Sequence, residues 1–337
     1  MINVGVVGAG YWGPNLIRNF VACPTANLVV VCDRDTERLQ QVIAPYPGIE
    51  GMSQFEDLLA RDDIDAVCIA TPVRTHAPLA LAALEAGKHV LVEKPMADSV
   101  VDANRMVKAA EEAGRVLMVD HTFIYSPPVI KMKEIVESGV LGDIYFIDSV
   151  RINLGLFQHD VNVIWDLAPH DLSILDFLIG KLPKSVSAFG KCHTDQAREI
   201  EDVAYVNLDF GNGFMASFHV NWLSPVKLRH FMIGGSNKSI VYDDLEVAEK
   251  VKVYERGITI AREPDPRRET MIGYRTGDVW SPHLPQREPL QNMVRHFVEC
   301  IETGKAPNTD GQSGLRGVQI LEAAQRSIES HGVRITL

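Results

Sequence analysis

The sequence predicts an α/β protein: a doubly wound parallel sheet at the N-terminus, then a second α/β region built on a large, mostly antiparallel open sheet. Three observations point there. Over roughly the first 120 residues, short unbroken apolar runs alternate with helical stretches, as in a parallel sheet covered on both faces. From His121 onward strand-like runs follow one another, two of them joined by the turn Gly211-Asn212-Gly213. A chain of 337 residues with 46% apolar residues is long enough for two cored domains. The boundary is drawn at residues 1–121 and 122–337.

In order, Val4 to Val7 is the first strand, and Leu16, Ile17 and Phe20 mark one face of the helix after it. Leu28 to Cys32 is the second strand and Asp35 to Ile43 the second helix. Phe55 to Ala60 reads as a short helix and Ala66 to Ala70 as a third strand. Pro78 to Ala86 is an Ala/Leu helix stopped by Gly87. His89 to Val92, a helix from Val101 to Glu112, and Val116 to Val119 complete the parallel part. Beyond it, helices are expected over Val129 to Glu137 and Ile164 to Leu178. Strands are expected at Ile144 to Asn153, Lys184 to Gly190, Asp202 to Phe210, Phe214 to Trp222, His230 to Gly234 and Ser239 to Asp243. Arg262 to Pro289 reads as a long loop, and two helices, Leu290 to Glu302 and Gly311 to Ser330, close the chain.

A formal net charge of −11 argues against a nucleic-acid partner, which calls for a basic face. Cys23, Cys32, Cys68, Cys192 and Cys300 are odd in number and nowhere at CxxC spacing, so neither a disulfide framework nor a metal site is expected. No basic n-region precedes Ile2-Asn3-Val4, and no run approaches the about 18 apolar residues of a membrane span. The expectation is a cytoplasmic protein.

Gly8-x-Gly10-x-x-Gly13 follows a strand and opens a helix at the start of a βαβ unit. Glycines there allow a tight turn and close approach of a pyrophosphate, which then rests on the helix N-terminus. This is the dinucleotide signature of a Rossmann domain, with Tyr11 and Trp12 inside the loop. Asp33 ends the next strand, 20 residues after Gly13, where an acid holds the adenosine ribose hydroxyls and repels a 2′-phosphate. The cofactor expected is therefore NAD(H), while Arg34 and Arg38 keep NADP(H) open. Glu93-Lys94-Pro95 lies past the fourth strand, on the ligand side of an open α/β sheet; a lysine there can polarise a reacting oxygen. Taken alone it reads better as a solvated surface lysine. Asp166 and His170, four apart on a helix, share a face, and His is the usual proton acceptor in alcohol oxidation, although the pair by itself reads more readily as a helix-start acid with an unrelated His.

Together these motifs resemble the Gfo/Idh/MocA family of glucose–fructose oxidoreductases and inositol dehydrogenases. The resemblance runs nearly end to end. It includes Thr71-Pro72 with His76, Ala86-Gly87-Lys88-His89-Val90 leading into Glu93-Lys94-Pro95, Ser138-Gly139 with Leu141-Gly142, and Asp166-x-x-x-His170. Glu288-Pro289-Leu290 with His296-Phe297, and Thr309-Asp310-Gly311, extend it to the end. It implies a dimer or tetramer formed through the C-terminal sheet. It also implies a catalytic set: His170 as acid/base, Lys94 polarising the reacting oxygen, Asp166 assisting both. Thr71, Pro72, His76 and Glu93 would line the cofactor site. Two departures stand out. Val73-Arg74 replaces the Asn usual after Thr-Pro, and His121 to Tyr125 lacks an arginine, leaving Phe123 and Tyr125 to shape the substrate pocket.

The Tyr11-Trp12-Gly13-Pro14-Asn15 start and the Trp165 to Asp171 segment are similar to the subgroup acting on nucleotide-linked sugars, such as UDP-N-acetylglucosaminuronate 3-dehydrogenases and ketoreductases. The diphosphate of such a substrate needs donors; Arg151 and Asn153 are candidates, as are Arg267, Arg268 and Arg275. Each of these arginines is as readily solvated or paired within the fold. A myo-inositol, polyol or free-sugar dehydrogenase is the alternative, and a non-catalytic dinucleotide-binding regulator is a third.

Overall fold

The computed structural model describes residues 1–155, 157, 161–194, 200–261 and 271–337. It divides into two compact units. The first holds Met1–Ser126, Leu172–Gly180 and Arg287–Glu322. The second holds Pro127–Asp171, Lys181–Gln286 and Ala323–Leu337. The first unit thus draws in segments well past residue 121.

The sheet of the first unit contains β1 (Ile2–Val7), β2 (Ala26–Cys32), β3 (Glu50–Met52), β4 (Ala66–Ile69), β5 (His89–Glu93) and β6 (Leu117–Asp120). Their order is β3-β2-β1-β4-β5-β6, and all pairs are parallel. Helices α1 (Gly13–Val21), α2 (Thr36–Ile43), α3 (Phe55–Leu59), α4 (His76–Glu85) and α5 (Val100–Ala113) connect the strands. Successive residues Val90, Leu91 and Val92 are all fully buried, which a strand permits only when both faces are covered. Asp35 and Ser99 cap α2 and α5 with their side chains. The strand order reverses at β1/β4, which puts the ligand-binding crevice beyond the carboxyl ends of those strands.

The second unit carries α6 (Pro127–Glu137) and a nine-stranded mixed sheet. Its strands are β7 (Ile144–Leu154), β8 (Ser185–Lys191), β9 (Val203–Asp209), β10 (Met215–Asn221), β11 (Leu223–Gly235), β12 (Ser239–Asp243), β13 (Val251–Tyr254), β16 (Val279–Trp280) and β17 (Ile335–Thr336). Strands β14 (Gly257–Ala261) and β15 (Met271–Arg275) form a separate hairpin. Three long helices complete the chain: α7 (Val163–Ile179), α8 (Pro289–Thr303) and α9 (Gly311–Glu329). β9 and β10 pair antiparallel across the Gly211-Asn212-Gly213 turn, as expected, but β10 runs parallel to β7 and makes the sheet mixed.

Two strand readings change. The strand expected at His230 to Gly234 is the end of a 13-residue strand whose register slips between Leu223 and Leu228. Pro225 lies in that slip and hides the strand, because proline has no N–H for a ladder. The long loop expected from Arg262 includes β15 and β16; Arg267 and Arg268 lie outside the described residues. Among the described residues no helix is long and apolar enough to cross a membrane.

Candidate active site

The glycine loop follows β1, and its three glycines serve three different needs. Gly8 has φ +101°, and a Cβ on it would lie 2.4 Å from the Ala70 carbonyl oxygen. A Cβ on Gly13 would lie 2.1 Å from the Gly8 oxygen, so this glycine lets α1 start against the strand. A Cβ on Gly10 would meet only the Arg38 guanidinium, at 4.0 Å. Nothing in the fold requires glycine there; open space above the backbone is what a pyrophosphate needs. No side chain caps α1; Pro14 has no N–H and the Asn15 N–H turns back to the Trp12 carbonyl at 3.0 Å, so the positive end of the helix dipole at Gly13 is what the helix start offers an anion. Tyr11 projects from the loop and is exposed, while Trp12 turns inward and donates Nε1–H to Asp120 Oδ2 at 3.2 Å.

Asp33, just past β2, accepts the Ala9 N–H on Oδ2 at 2.6 Å and the Asp35 N–H on Oδ1 at 2.8 Å. Each carboxylate oxygen keeps acceptor capacity for a ribose hydroxyl. Arg34 is exposed beside it, and Arg38 pairs with Asp35 at 2.7 Å. The open cradle at Gly10, the uncapped helix start and the fixed Asp33 together fit a dinucleotide.

Thr71 and Pro72 follow β4. His76 was expected to line the cofactor site, but it is 1% exposed. Its Nδ1 meets the Pro95 carbonyl at 2.9 Å and its Nε2 the Thr71 carbonyl at 2.8 Å. Burial lowers its pKa while the two carbonyls pull it back up. We assign it to stapling the loop after β4 to the loop after β5, so it shapes the site without facing it.

Glu93 ends β5, and Lys94 begins the loop after it, half-buried. The Lys94 N–H donates to Glu93 Oε2 at 3.1 Å. Two neighbours were not anticipated. Asp120, the last residue of β6, is 2% exposed and takes hydrogen bonds from Trp12 and, at 2.5 Å, from the Thr122 hydroxyl. His121 is buried, and burial with the nearby Lys94 charge pushes its pKa down to about 3. A buried carboxylate at a strand end on the ligand side was the signal available in the sequence. The apolar run stops at Val119, whereas β6 extends one residue further to Asp120. Tyr125 is 4% exposed, with its hydroxyl 3.3 Å from Thr309 Oγ1, and burial raises its pKa. It packs beside His296 with ring centres 5.5 Å apart.

In the second unit, Asp166 and His170 occupy the first half of α7, one turn apart, and both are partly exposed. Asn162 starts this helix: its Oδ1 accepts the N–H groups of Ile164 and Trp165 at 3.1 and 3.2 Å. The Trp222 indole donates to Asp166 Oδ2 at 3.1 Å, which orients that carboxylate. Arg151, expected to meet a substrate diphosphate, is 4% exposed, and its Nε and Nη2 each donate to Asp171 at 2.8 Å. Two of its donors therefore anchor α7 to β7, next to His170. Asn153 lies further along β7 and is partly exposed. Arg275 donates to the carbonyls of Glu255 and Asn237, within its own unit.

Residues 2–121 match the oxidoreductase family described as GFO_IDH_MocA, NAD-binding Rossmann fold, and residues 129–241 match the GFO/IDH/MocA C-terminal domain. The oxidoreductase YdgJ of Escherichia coli K12 is 33% identical over 356 residues, covering 100% of this chain and 98% of the relative. The 1-carboxy-3-chloro-3,4-dihydroxycyclohexa-1,5-diene dehydrogenase of Comamonas testosteroni is 33% identical over 227 residues. That match spans 64% of this chain but only 57% of the relative's length. Among solved structures, UDP-N-acetylglucosamine 3-dehydrogenase GnnA from Acidithiobacillus ferrooxidans superposes with a TM-score of 0.81 at 25% identity, over 98% of each chain. With a glycine loop that leaves room for a pyrophosphate and an acid fixed beside it, this chain belongs to the Gfo/Idh/MocA family of NAD-binding oxidoreductases, enzymes that act on CH–OH groups.

Proposed function

We propose that the protein is an NAD(H)-dependent dehydrogenase or ketoreductase acting on a ring carbon of a sugar, and that the sugar is nucleotide-linked. The observation that carries the substrate class is the end-to-end likeness to a UDP-N-acetylglucosamine 3-dehydrogenase. What supports NAD(H) over NADP(H) is the Asp33 carboxylate, tied to the Ala9 N–H just past β2, since an acid at that strand end would repel a 2′-phosphate. When bound, the nicotinamide supplies the hydride acceptor or donor. The chain's own groups manage the proton and the oxygen. His170 takes the hydroxyl proton during oxidation and returns it during reduction, Lys94 holds the reacting oxygen by its charge, and Asp166, oriented by Trp222, supports His170.

A second reading, a polyol or free-sugar dehydrogenase, gains from Arg151. Two of its donors go to Asp171, which removes one of the groups expected to meet a diphosphate. In either case we propose a homodimer or tetramer formed through the nine-stranded sheet, one face of which exposes Phe189, Tyr205 and Met215.

Calorimetric titration with NADH, NADPH, UDP-sugars and polyols tests the reading, with light scattering on the same sample to give the assembly mass. Expected are NADH binding tighter than NADPH and micromolar binding of a UDP-N-acetylated sugar. Binding of NADH with no response to any nucleotide sugar moves the substrate to polyols. Failure to bind either dinucleotide would sink the assignment.

A further inference from the structure

The chemistry above leaves one stretch of the second unit without a task. Between Leu223 and Leu228 the register of β11 against β7 slips, so residues 224–227 stand opposite Asn153 alone. Bulges re-aim side chains and gather beside functional sites. This one is held in shape. The Ser224 hydroxyl donates to the Val226 carbonyl at 2.8 Å, and Asn221 Oδ1 accepts the Leu223 N–H at 2.6 Å. Both its ends are tied to α7. Trp222, just before it, donates to Asp166. Arg229, just after it, stands directly across the ladder from Arg151, which holds Asp171. His170 lies between those two helix contacts, which are about 7.5 Å apart along the helix axis. The slipped stretch therefore spans the level of the histidine.

Two cations stand at its end. Lys227 is exposed, and among the described residues it has no ion-pair partner. Arg229 is on the same face of the sheet as Arg151, because residues directly opposite in a ladder share a face, and like charges so placed repel. Each arginine is set against a carboxylate. Arg151, with 4% of its side chain exposed, is closed in by Asp171. Arg229, with 32% exposed, is braced by Asp244 at 3.0 Å. The Tyr242 hydroxyl donates to the same carboxylate at 2.9 Å, and Lys250 lies 3.6 Å from it. Burial pushes the Asp244 carboxyl up, but hydrogen bonds from Arg229 and Tyr242 and the Lys250 charge outweigh it and hold it below its usual range. Arg151, Arg229 and Lys250 thus share the two carboxylates of Asp171 and Asp244, and Lys227 adds a fourth cation. A phosphate or carboxylate placed at the outer arginine evens that balance, and a guanidinium is shaped to meet such a group.

We propose that Lys227 and Arg229 form an anion site for the substrate, holding a phosphate or carboxylate group of it while Asp166 and His170 engage the reacting hydroxyl. This rests on the reading of Asp166 and His170 as reacting groups. It moves the anion donor expected at Arg151 to the neighbour across the ladder, whose side chain is the more open of the two. A charged group held away from the reacting carbon fixes the orientation of the ring.

The test is calorimetric titration of the full chain, saturated with NADH, against UDP-N-acetylglucosamine, UDP, D-glucuronate and, as the uncharged control, myo-inositol. At least one anionic probe should bind the unmodified protein. For that probe Arg229→Gln should weaken binding about tenfold or more, the loss of a hydrogen bond between charged groups. Lys227→Gln should weaken it about fivefold, the loss of an exposed ion pair. Neither variant should change the affinity for myo-inositol or NADH. A loss seen with UDP and UDP-N-acetylglucosamine assigns the site to the diphosphate, and a loss seen with D-glucuronate assigns it to a carboxylate; either supports the proposal. Arg229→Gln also releases Asp244, so if that variant fails to fold, Lys227→Gln decides, because it breaks no ion pair among the described residues. Unchanged affinity for the bound anion in either folded variant overturns the proposal and leaves the substrate reading standing. If only myo-inositol binds, or none of the four does, the nucleotide-sugar reading falls, and the proposal falls with it.

Discussion

The two units hold their functional groups by different means. In the first, Gly8, Asp33, Glu93 and Asp120 sit at or just past the ends of parallel strands, and mostly backbone geometry places them. In the second, Asp166 and His170 ride on one helix, and side chains far away in sequence hold that helix. Asn162 caps its start, Arg151 grips Asp171 from β7, and Trp222 aims Asp166. A site set by strand ends tolerates changes elsewhere in the chain, because the ladder fixes position. A site on an anchored helix depends on each anchor.

The comparison breaks most clearly at the reacting groups. Lys94→Ala and His170→Ala should each lower kcat by about 10²- to 10⁴-fold while NADH affinity stays within a few-fold. Near-normal turnover in both would remove the assigned roles. The next effect concerns the anchor of α7. Arg151→Met leaves Asp171 buried without its partner and should cost about 3–5 kcal/mol in urea unfolding, whereas Arg151→Met with Asp171→Leu should recover most of that loss. Equal stability of the single and double variants would mean that the pair carries no such weight. The smallest effect sharpens the contrast within the glycine loop. Gly10→Ala should leave Tm nearly unchanged and weaken NADH about tenfold or more, since its Cβ enters open space claimed by the ligand. Gly13→Ala should lower Tm even without cofactor, because its Cβ meets the Gly8 carbonyl oxygen. If both variants lost only cofactor affinity, the division of labour among the glycines would be wrong.

The parallel sheet, the glycine loop and the acid at Asp33 were legible in the sequence because each is a local pattern: apolar runs of strand length, a fixed glycine spacing, an acid at the next strand end. The Asp166/His170 pairing was legible for the same reason, since four residues make about one turn of helix. Other roles depend on atoms that meet across long sequence separations. His76, which the motif places at the cofactor site, joins two loops through the Thr71 and Pro95 carbonyls. Arg151, a substrate-donor candidate by its place on the strand, donates two hydrogen bonds to Asp171, 20 residues on. Neither partner is implied by a residue's own neighbours. Trp12 and Asp120 are 108 residues apart, and only the parallel pairing of β5 with β6 makes Asp120 a neighbour of Glu93. Hydrophobic periodicity and turn chemistry act over a few residues, so the residue types at strand ends and on helix faces follow from local order along the chain. Which buried charges are paired, Arg151 with Asp171 among them, follows only from the folded arrangement, because distant strands and helices must first come within hydrogen-bond reach.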